Sequence, residues 1–270
     1  MYKVLISSRM FGKLDEEPLR LLQKNNCEIV DNPYRGTTLN EGQLLELIKD
    51  IDGAIVGDDY FTRKVIQKAN ALKVISKYGV GTDRIDLKTA TDKGIIVTNT
   101  PGSNKNAVAD MVFTLMLSVS RQLPNAINIV KQGRWKAVIG RELYGQTLGI
   151  IGLGQIGKEV AKRAQGFNMK ILGVEPSPDK EFIEHHRIEL VEIEVLLSES
   201  DFVTLHLPSI PSTKGMINSQ KINLMKKDAF LINTARGDIV NEEDLYIALK
   251  ERRIAGAALD TLITEPPGRH

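Results

Sequence analysis

Short apolar runs alternate with amphipathic stretches along the chain, and the two periodicities read as strands and helices in turn. Within residues 1–99, apolar runs at 3–8, 27–31, 51–57, 72–79 and 94–99 predict strands, while 16–25, 40–50, 62–70 and 86–94 carry helical spacing. That alternation predicts βα units around a parallel sheet. Residues 104–121 hold the longest helical pattern, with Val108, Met111, Val112, Leu115, Met116 and Val119 on an apolar face broader than a single sheet contact needs. Pro124 opens a second helix reaching Gly133. Such a pair either packs inside the molecule or meets another subunit.

A second βα series follows. Strands are expected at "TLGII", 169–175, 202–208, 229–235 and 254–260, with helices over 155–167 and 241–253. The polar stretch 175–187 reads as a loop. There is no short-period repeat and no low-complexity tail. The pattern predicts an α/β chain with parallel sheets; the length allows two domains or one large α/β unit, and the expected division is residues 1–99 and 100–270.

Composition narrows the partners. Of the 270 residues, 42% are hydrophobic and 26% charged, enough apolar material for a core. The 36 Lys and Arg against 34 Asp and Glu create no global positive field, which argues against nucleic acid and acidic membranes. One Cys and four scattered His exclude a disulfide framework and give no zinc spacing, so no metal is expected. The N-terminal apolar run is too short for a signal peptide, and no run approaches the ~20 residues that span a bilayer. A soluble, cytoplasmic protein is the expectation.

Chemistry first enters at "GLGQIG". Gly152, Gly154 and Gly157 follow a strand and precede a helix, with Leu153, Gln155 and Ile156 filling the same turn. In this arrangement the first glycine permits the turn, the second lets backbone approach a pyrophosphate, and the third packs helix against strand. The next strand ends in Glu175, spaced to accept hydrogen bonds from the adenosine ribose. A carboxylate there repels a ribose phosphate, so NAD is favoured over NADP. A flavin, or a tight packing turn without a ligand, would use a similar glycine pattern.

Six ordered segments carry a resemblance: "SKYGVGTDRIDL", "TNTPGSNKNAVAD", "LGIIGLGQIGKEVA", "VTLHLPSIPSTKGMI", "LINTARGDIVNEEDL" and "AGAALDTLITEP". Through them nearly the whole chain resembles the D-isomer-specific 2-hydroxyacid dehydrogenases, in particular the phosphoglycerate-dehydrogenase-like branch. The resemblance implies a flavodoxin-like substrate domain and a Rossmann NAD-binding domain that carries a dimer contact. Arg236 matches the family arginine that holds the substrate carboxylate, a role for which a rigid fork of donors suits better than a lysine. An ion pair with an acid such as Asp260 is the structural alternative. Glu265 matches the glutamate that orients the catalytic histidine and favours its protonated form; a merely solvated glutamate is the alternative. Asp260 matches the acid that receives the nicotinamide amide, and Thr234 and Ala235 line the nicotinamide side. His206, Leu207, Pro208 and Thr213 match the cofactor-side loop, with His206 outside the acid-base role. Gly79, Val80, Gly81 and Thr82 resemble the loop whose amides bind carboxylate, and Asn104 a substrate-binding residue at the domain junction. The helical pair with Trp135 resembles the dimer arm, which implies a homodimer.

The resemblance also sets an expectation at the end of the sequence. The family's catalytic histidine belongs to a Pro-His-Ile-Gly-like segment beyond the glutamate, whereas here the residues after Thr264 read "EPPGRH". His270 is C-terminal, and His185 and His186 fall in the polar stretch, so none matches that position. A fragment of a longer protein or a shortened product is expected, lacking an acid-base group worth about 10² to 10⁴ in rate but keeping cofactor binding. The implied reaction interconverts a 2-hydroxy acid and its 2-keto acid. D-3-phosphoglycerate is the favoured substrate, with a place in serine biosynthesis, and Lys77, Lys105 and Arg84 are candidate phosphate contacts or solvated charges. A glyoxylate or hydroxypyruvate reductase and a non-catalytic NAD-binding regulatory dimer are the alternatives.

Overall fold

The computed structural model describes residues 1–34, 36–265 and 267, so His270 lies outside the described residues. The chain divides into two compact units, Met1–Asn104 and Lys105–His270.

The first unit is built on strands β1 (Tyr2–Ile6), β2 (Cys27–Val30), β3 (Gly53–Val56), β4 (Val74–Lys77) and β5 (Ile96–Thr98). All pairings are parallel, in the order β2-β1-β3-β4-β5. This is the flavodoxin-like order, whose switch point falls between β1 and β3. Helices Glu17–Lys24, Glu41–Leu47, Arg63–Lys68 and Leu87–Asp92 make the crossovers. Three of them start where the sequence supplies a cap: the Asn40, Thr62 and Asp86 side chains each accept from a first-turn amide, and Asn40 and Gln43 form a reciprocal capping box. Leu5, Leu44, Ile48, Val56, Phe61, Ile66 and Ile75 fill the core between these layers.

The second unit contains β6 (Thr147–Ile151), β7 (Lys170–Val174), β8 (Glu189–Leu190), β9 (Phe202–Leu205), β10 (Phe230–Asn233) and β11 (Gly256–Leu259). Its parallel order, β11-β10-β9-β6-β7-β8, is the Rossmann arrangement. Both sheets therefore agree with the fold class expected from the sequence. Register matters most for function: Ile151 pairs with Val174 and Leu205, and Asn233 with Leu205 and Leu259. Five strands thus end level, and the residues that follow them emerge along one carboxyl edge.

Among the described residues seven α-helices accompany this sheet: Lys105–Ser120, Leu123–Lys131, Gln155–Gln165, Lys180–His185, Ile193–Glu199, Ser219–Ile222 and Glu242–Lys250. The broad apolar face anticipated on the first of them divides. Val112 and Met116 are fully buried, while Met111 stays 39% exposed. Beyond the second helix Trp135 and Ile139 are 93% and 87% exposed.

The stretch read as a loop at 175–187 contains the helix Lys180–His185. Its polarity hid two local causes. The Asp179 side chain caps the start by accepting from Phe182 N at 3.2 Å, and Phe182 and Ile183 pack against the buried core. Among the described residues no helix is long and apolar enough to cross a membrane.

Candidate functional site

The glycine turn sits directly after β6. Gly152 has φ +97°, the left-handed region, and a Cβ there would lie 2.6 Å from the His206 carbonyl oxygen. Gly157 is tighter still, since a Cβ would lie 2.0 Å from Gly152 O; helix Gln155–Gln165 can rest on β6 only without a side chain at this position. Gly154 differs from both. A Cβ there would meet nothing within 4 Å, so its lack of a side chain answers no contact within the protein. It caps the helix in extended conformation, and the amides of Gln155, Ile156 and Gly157 open the first turn, where no intrahelical acceptor exists. An open backbone cradle in front of a helix N-terminus fits a pyrophosphate.

Glu175 leaves the end of β7 half-buried and organises the same turn. Its carboxylate accepts from Leu153 N at 2.8 Å and from Ser177 N at 3.1 Å. Each oxygen retains a lone pair for a further donor, as a ribose hydroxyl would be. His206 follows β9; its backbone amide continues the ladder to Ile151 O at 2.8 Å, and its Nε2 lies 3.0 Å from Thr204 Oγ1. Burial pushes its pKa down to about 3. The imidazole is therefore neutral near pH 7 and suited to hydrogen bonding, whereas proton exchange at that pH needs a pKa near it. The neighbouring 208–213 loop, from exposed Pro208 to buried Thr213, is tied by Thr213 Oγ1, which donates to Pro208 O at 2.6 Å and accepts from Ile210 N at 3.0 Å. Leu207 is half-buried between the two.

Arg236 is positioned by a residue that pattern reading did not single out. Asn233, the last of β10, is fully buried. Its side chain donates to Arg236 O at 2.8 Å and accepts from Ala235 N at 3.0 Å, which folds 233–236 into a fixed corner. An asparagine closing the apolar strand "FLIN" was the available signal, because a buried amide needs partners. Arg236 Nη1 donates to Ala235 O at 2.8 Å. Thr234 Oγ1 is buried with no hydrogen-bond partner among the described residues. A buried hydroxyl without a partner is costly, and a ligand polar atom at this edge would satisfy it.

The segment after β11 completes the edge. Asp260 N extends the ladder to Asn233 O at 2.9 Å, leaving the carboxylate exposed beside the corner. The chain then crosses Gly237, where a Cβ would lie 2.1 Å from the Leu262 carbonyl carbon. That close approach brings Glu265 back toward the arginine turn. Leu262 N donates to Glu265 Oε1 at 3.1 Å, and Ile263 N to Glu242 Oε1 at 2.7 Å.

In the first unit, Gly79 has φ +145° and its carbonyl accepts from Thr100 N at 3.0 Å and Thr100 Oγ1 at 3.1 Å. Val80 O accepts from Asn99 Nδ2 at 2.7 Å. With the carbonyls engaged, the amides of Val80, Gly81 and Thr82 have no acceptor among the described residues, and successive free amides suit an anion. Asn104 is exposed and is the last residue of this unit. The three candidate phosphate contacts are all engaged rather than simply solvated. Lys77 is buried and bonded to Gly57 O and Asp58; Arg84 donates to Asp58 O at 2.6 Å; Lys105 pairs with Glu159 at 3.1 Å.

Comparison with known proteins agrees with this arrangement. The family model "D-isomer specific 2-hydroxyacid dehydrogenase, NAD binding domain" matches residues 113–270. The chain is 44% identical over 271 residues to the D-3-phosphoglycerate dehydrogenase of Methanocaldococcus jannaschii, covering 99% of this chain and 50% of that protein. It is 43% identical over 235 residues to the glyoxylate reductase of Thermococcus litoralis, covering 83% and 71% respectively. The solved structure of the TT0316 protein from Thermus thermophilus superposes with a TM-score of 0.90 at 36% identity, covering 99% of this chain and 85% of that one. The chain spans about half the length of the phosphoglycerate dehydrogenases it matches. Glycine turn, the carboxylate after β7 and sheet order thus converge with sequence similarity over most of the chain, which belongs to the D-isomer specific 2-hydroxyacid dehydrogenase family and carries that family's NAD binding domain.

Proposed function

We propose that this protein is an NAD-dependent oxidoreductase that interconverts a 2-hydroxy acid and its 2-keto acid. The observation that carries the reading is the single carboxyl edge of the second sheet, where the glycine turn, Glu175 and the Arg236 corner all emerge. When bound, NAD supplies or accepts the hydride. Gly152 to Gly157 and the first turn of Gln155–Gln165 hold the pyrophosphate, and Glu175 the ribose. Thr234, Ala235 and Asp260 face the nicotinamide, with the His206–Thr213 segment closing the cofactor side. Arg236 clamps the acid's carboxylate and fixes the reacting carbon, a positioning effect that lowers the barrier without covalent chemistry. Glu265 matches the position that would orient the acid-base imidazole implied by the resemblance, a role that His206, neutral near pH 7, does not fill. The amides of Val80 and Gly81, with Asn104, are a substrate-binding group of the first unit.

Oxidation of NADH in the presence of a panel of 2-keto acids tests the reading; a protein that binds NADH but reduces no member would overturn it in favour of a regulatory NAD-binding dimer. Glu175→Gln keeps a carbonyl acceptor for only one of the Leu153 and Ser177 amides, now held by separate carboxylate oxygens, and removes the charge that repels a ribose phosphate. It is expected to lower the preference for NADH over NADPH about tenfold, an effect of roughly 1.4 kcal/mol. Fluorescence titration with both cofactors measures it, and an unchanged ratio would remove Glu175 from cofactor selection.

Two substrate readings stand within this function. D-3-phosphoglycerate has the support of relatives bearing that name. A glyoxylate- or hydroxypyruvate-type acid has the support of reductases matched over more of their own length and of the engaged state of Lys77 and Arg84. We also propose a homodimer through the helices Lys105–Ser120 and Leu123–Lys131, on the strength of exposed Trp135, Ile139, Leu123 and Val130. Sedimentation at micromolar concentration would show a two-chain species; one-chain mass would assign that apolar surface elsewhere.

A further inference from the structure

Ligands of open parallel sheets bind at the carboxyl ends of the strands, at the switch point in strand order. In the first unit that point lies between β1 and β3. The loops leaving these strands press together there: a Cβ on Gly57 would lie 3.1 Å from Ser8 Cα. The next residue of each loop is charged, Arg9 after β1 and Asp58 after β3, and their side chains stand 3.9 Å apart. β4 ends beside them in Lys77, whose Nζ lies 3.3 Å from the other carboxylate oxygen of Asp58. Arg84 donates to the Asp58 backbone carbonyl and stacks 4.8 Å from the Tyr60 ring.

Two cations thus share the Asp58 carboxylate, and a third holds its backbone carbonyl, at the place where this sheet would receive a ligand. They are not equivalent. The Lys77 side chain is only 10% exposed and also donates to Gly57 O, so it cannot turn toward a ligand without abandoning two acceptors. Asp58 is 59% exposed, so its negative charge faces whatever approaches. A phosphate arriving here must compete with the Asp58 carboxylate for Arg9 and Lys77 and meets that carboxylate in front of them. An acid whose only charge is its carboxylate brings no second anion to this place.

We propose that Asp58 sets the charge of the substrate: its carboxylate occupies Arg9 and Lys77 at the switch point of the first unit and faces the incoming acid, so that an unphosphorylated 2-hydroxy or 2-keto acid is accepted and its phosphorylated counterpart is disfavoured. The inference rests on the hydroxy-acid function proposed above and chooses a substrate class within it. Asp58 acts here as a specificity determinant and takes no part in hydride or proton transfer.

Asp58→Asn preserves shape and leaves the backbone carbonyl that holds Arg84. The test compares kcat/KM for hydroxypyruvate and for 3-phosphohydroxypyruvate with NADH, in both proteins. The original protein should favour the unphosphorylated acid at least tenfold. Asp58→Asn should move that ratio about tenfold toward the phosphorylated acid, mainly through its KM, and the shift should shrink as salt rises. Preference of the original protein for the phosphorylated acid, or an unchanged ratio in the variant, overturns the proposal. Calorimetric titration with glycerate and 3-phosphoglycerate supplies a readout that needs no turnover. If neither keto acid is reduced, the oxidoreductase reading fails, and the two binding ratios alone decide the role of Asp58. Equal ratios in the two proteins, or no binding of either acid, would then overturn it.

Discussion

Replacing Arg236 with Gln is expected to lower kcat/KM for the 2-keto acid about 10³-fold, while NADH affinity falls by much less. The estimate follows from what removal of one preorganised charged donor costs at a reacting centre. Arg236 follows a corner made rigid by the two hydrogen bonds of buried Asn233, so the guanidinium is held before substrate arrives. A glutamine retains polarity but offers neither charge nor fork. Arg236→Lys restores the charge alone and is expected to recover only a small part of the loss, because one ammonium cannot match both carboxylate oxygens. Steady-state kinetics beside an NADH titration distinguish this from misfolding. Equal losses in cofactor affinity and in kcat/KM would reassign the arginine to the cofactor.

The second and third glycines of the nucleotide turn should respond oppositely to the same added methyl. Gly157→Ala places a carbon 2.0 Å from Gly152 O, and backbone at both sides leaves little room for relaxation. A loss of about 3 kcal/mol in unfolding free energy, the upper range for overpacking, is expected in urea titration. Gly154→Ala meets no protein atom within 4 Å, and its φ of −66° is ordinary for alanine. Folding stability should hold or rise by about 0.5 kcal/mol through a less flexible unfolded chain. NADH affinity should nevertheless drop about 100-fold, since the methyl occupies the approach of the pyrophosphate. Unchanged NADH binding in Gly154→Ala would mean that the open space is not the cofactor cradle.

Much of this architecture is legible along the chain because the signals are local. The alternation of apolar runs and helical spacing anticipates both parallel sheets, since a strand covered on both faces must be apolar throughout. Caps at Asn40, Thr62 and Asp86 mark helix starts in the sequence as they do in space. Where local signals compete, pattern reading failed. The helix Lys180–His185 is polar enough to pass for a loop, and packing of Phe182 and Ile183 decided the outcome.

The site divides along the same line. By itself the sequence determined the nucleotide turn, because three glycines, a following helix and an acid one strand later are constrained by spacing alone. It also determined that an arginine leaves the end of an apolar strand. Only the tertiary structure decided which groups those residues meet. Strands β1, β3 and β4 are far apart in sequence, yet parallel crossovers bring Arg9, Asp58 and Lys77 to one edge. In the second unit the crossovers leave His206 half-buried with its pKa pushed down to about 3, and the chain passes Gly237 with Glu265 following. Periodicity records which face of an element is buried; the partner of a charge depends on which strands are neighbours, and that is settled only when the sheet forms.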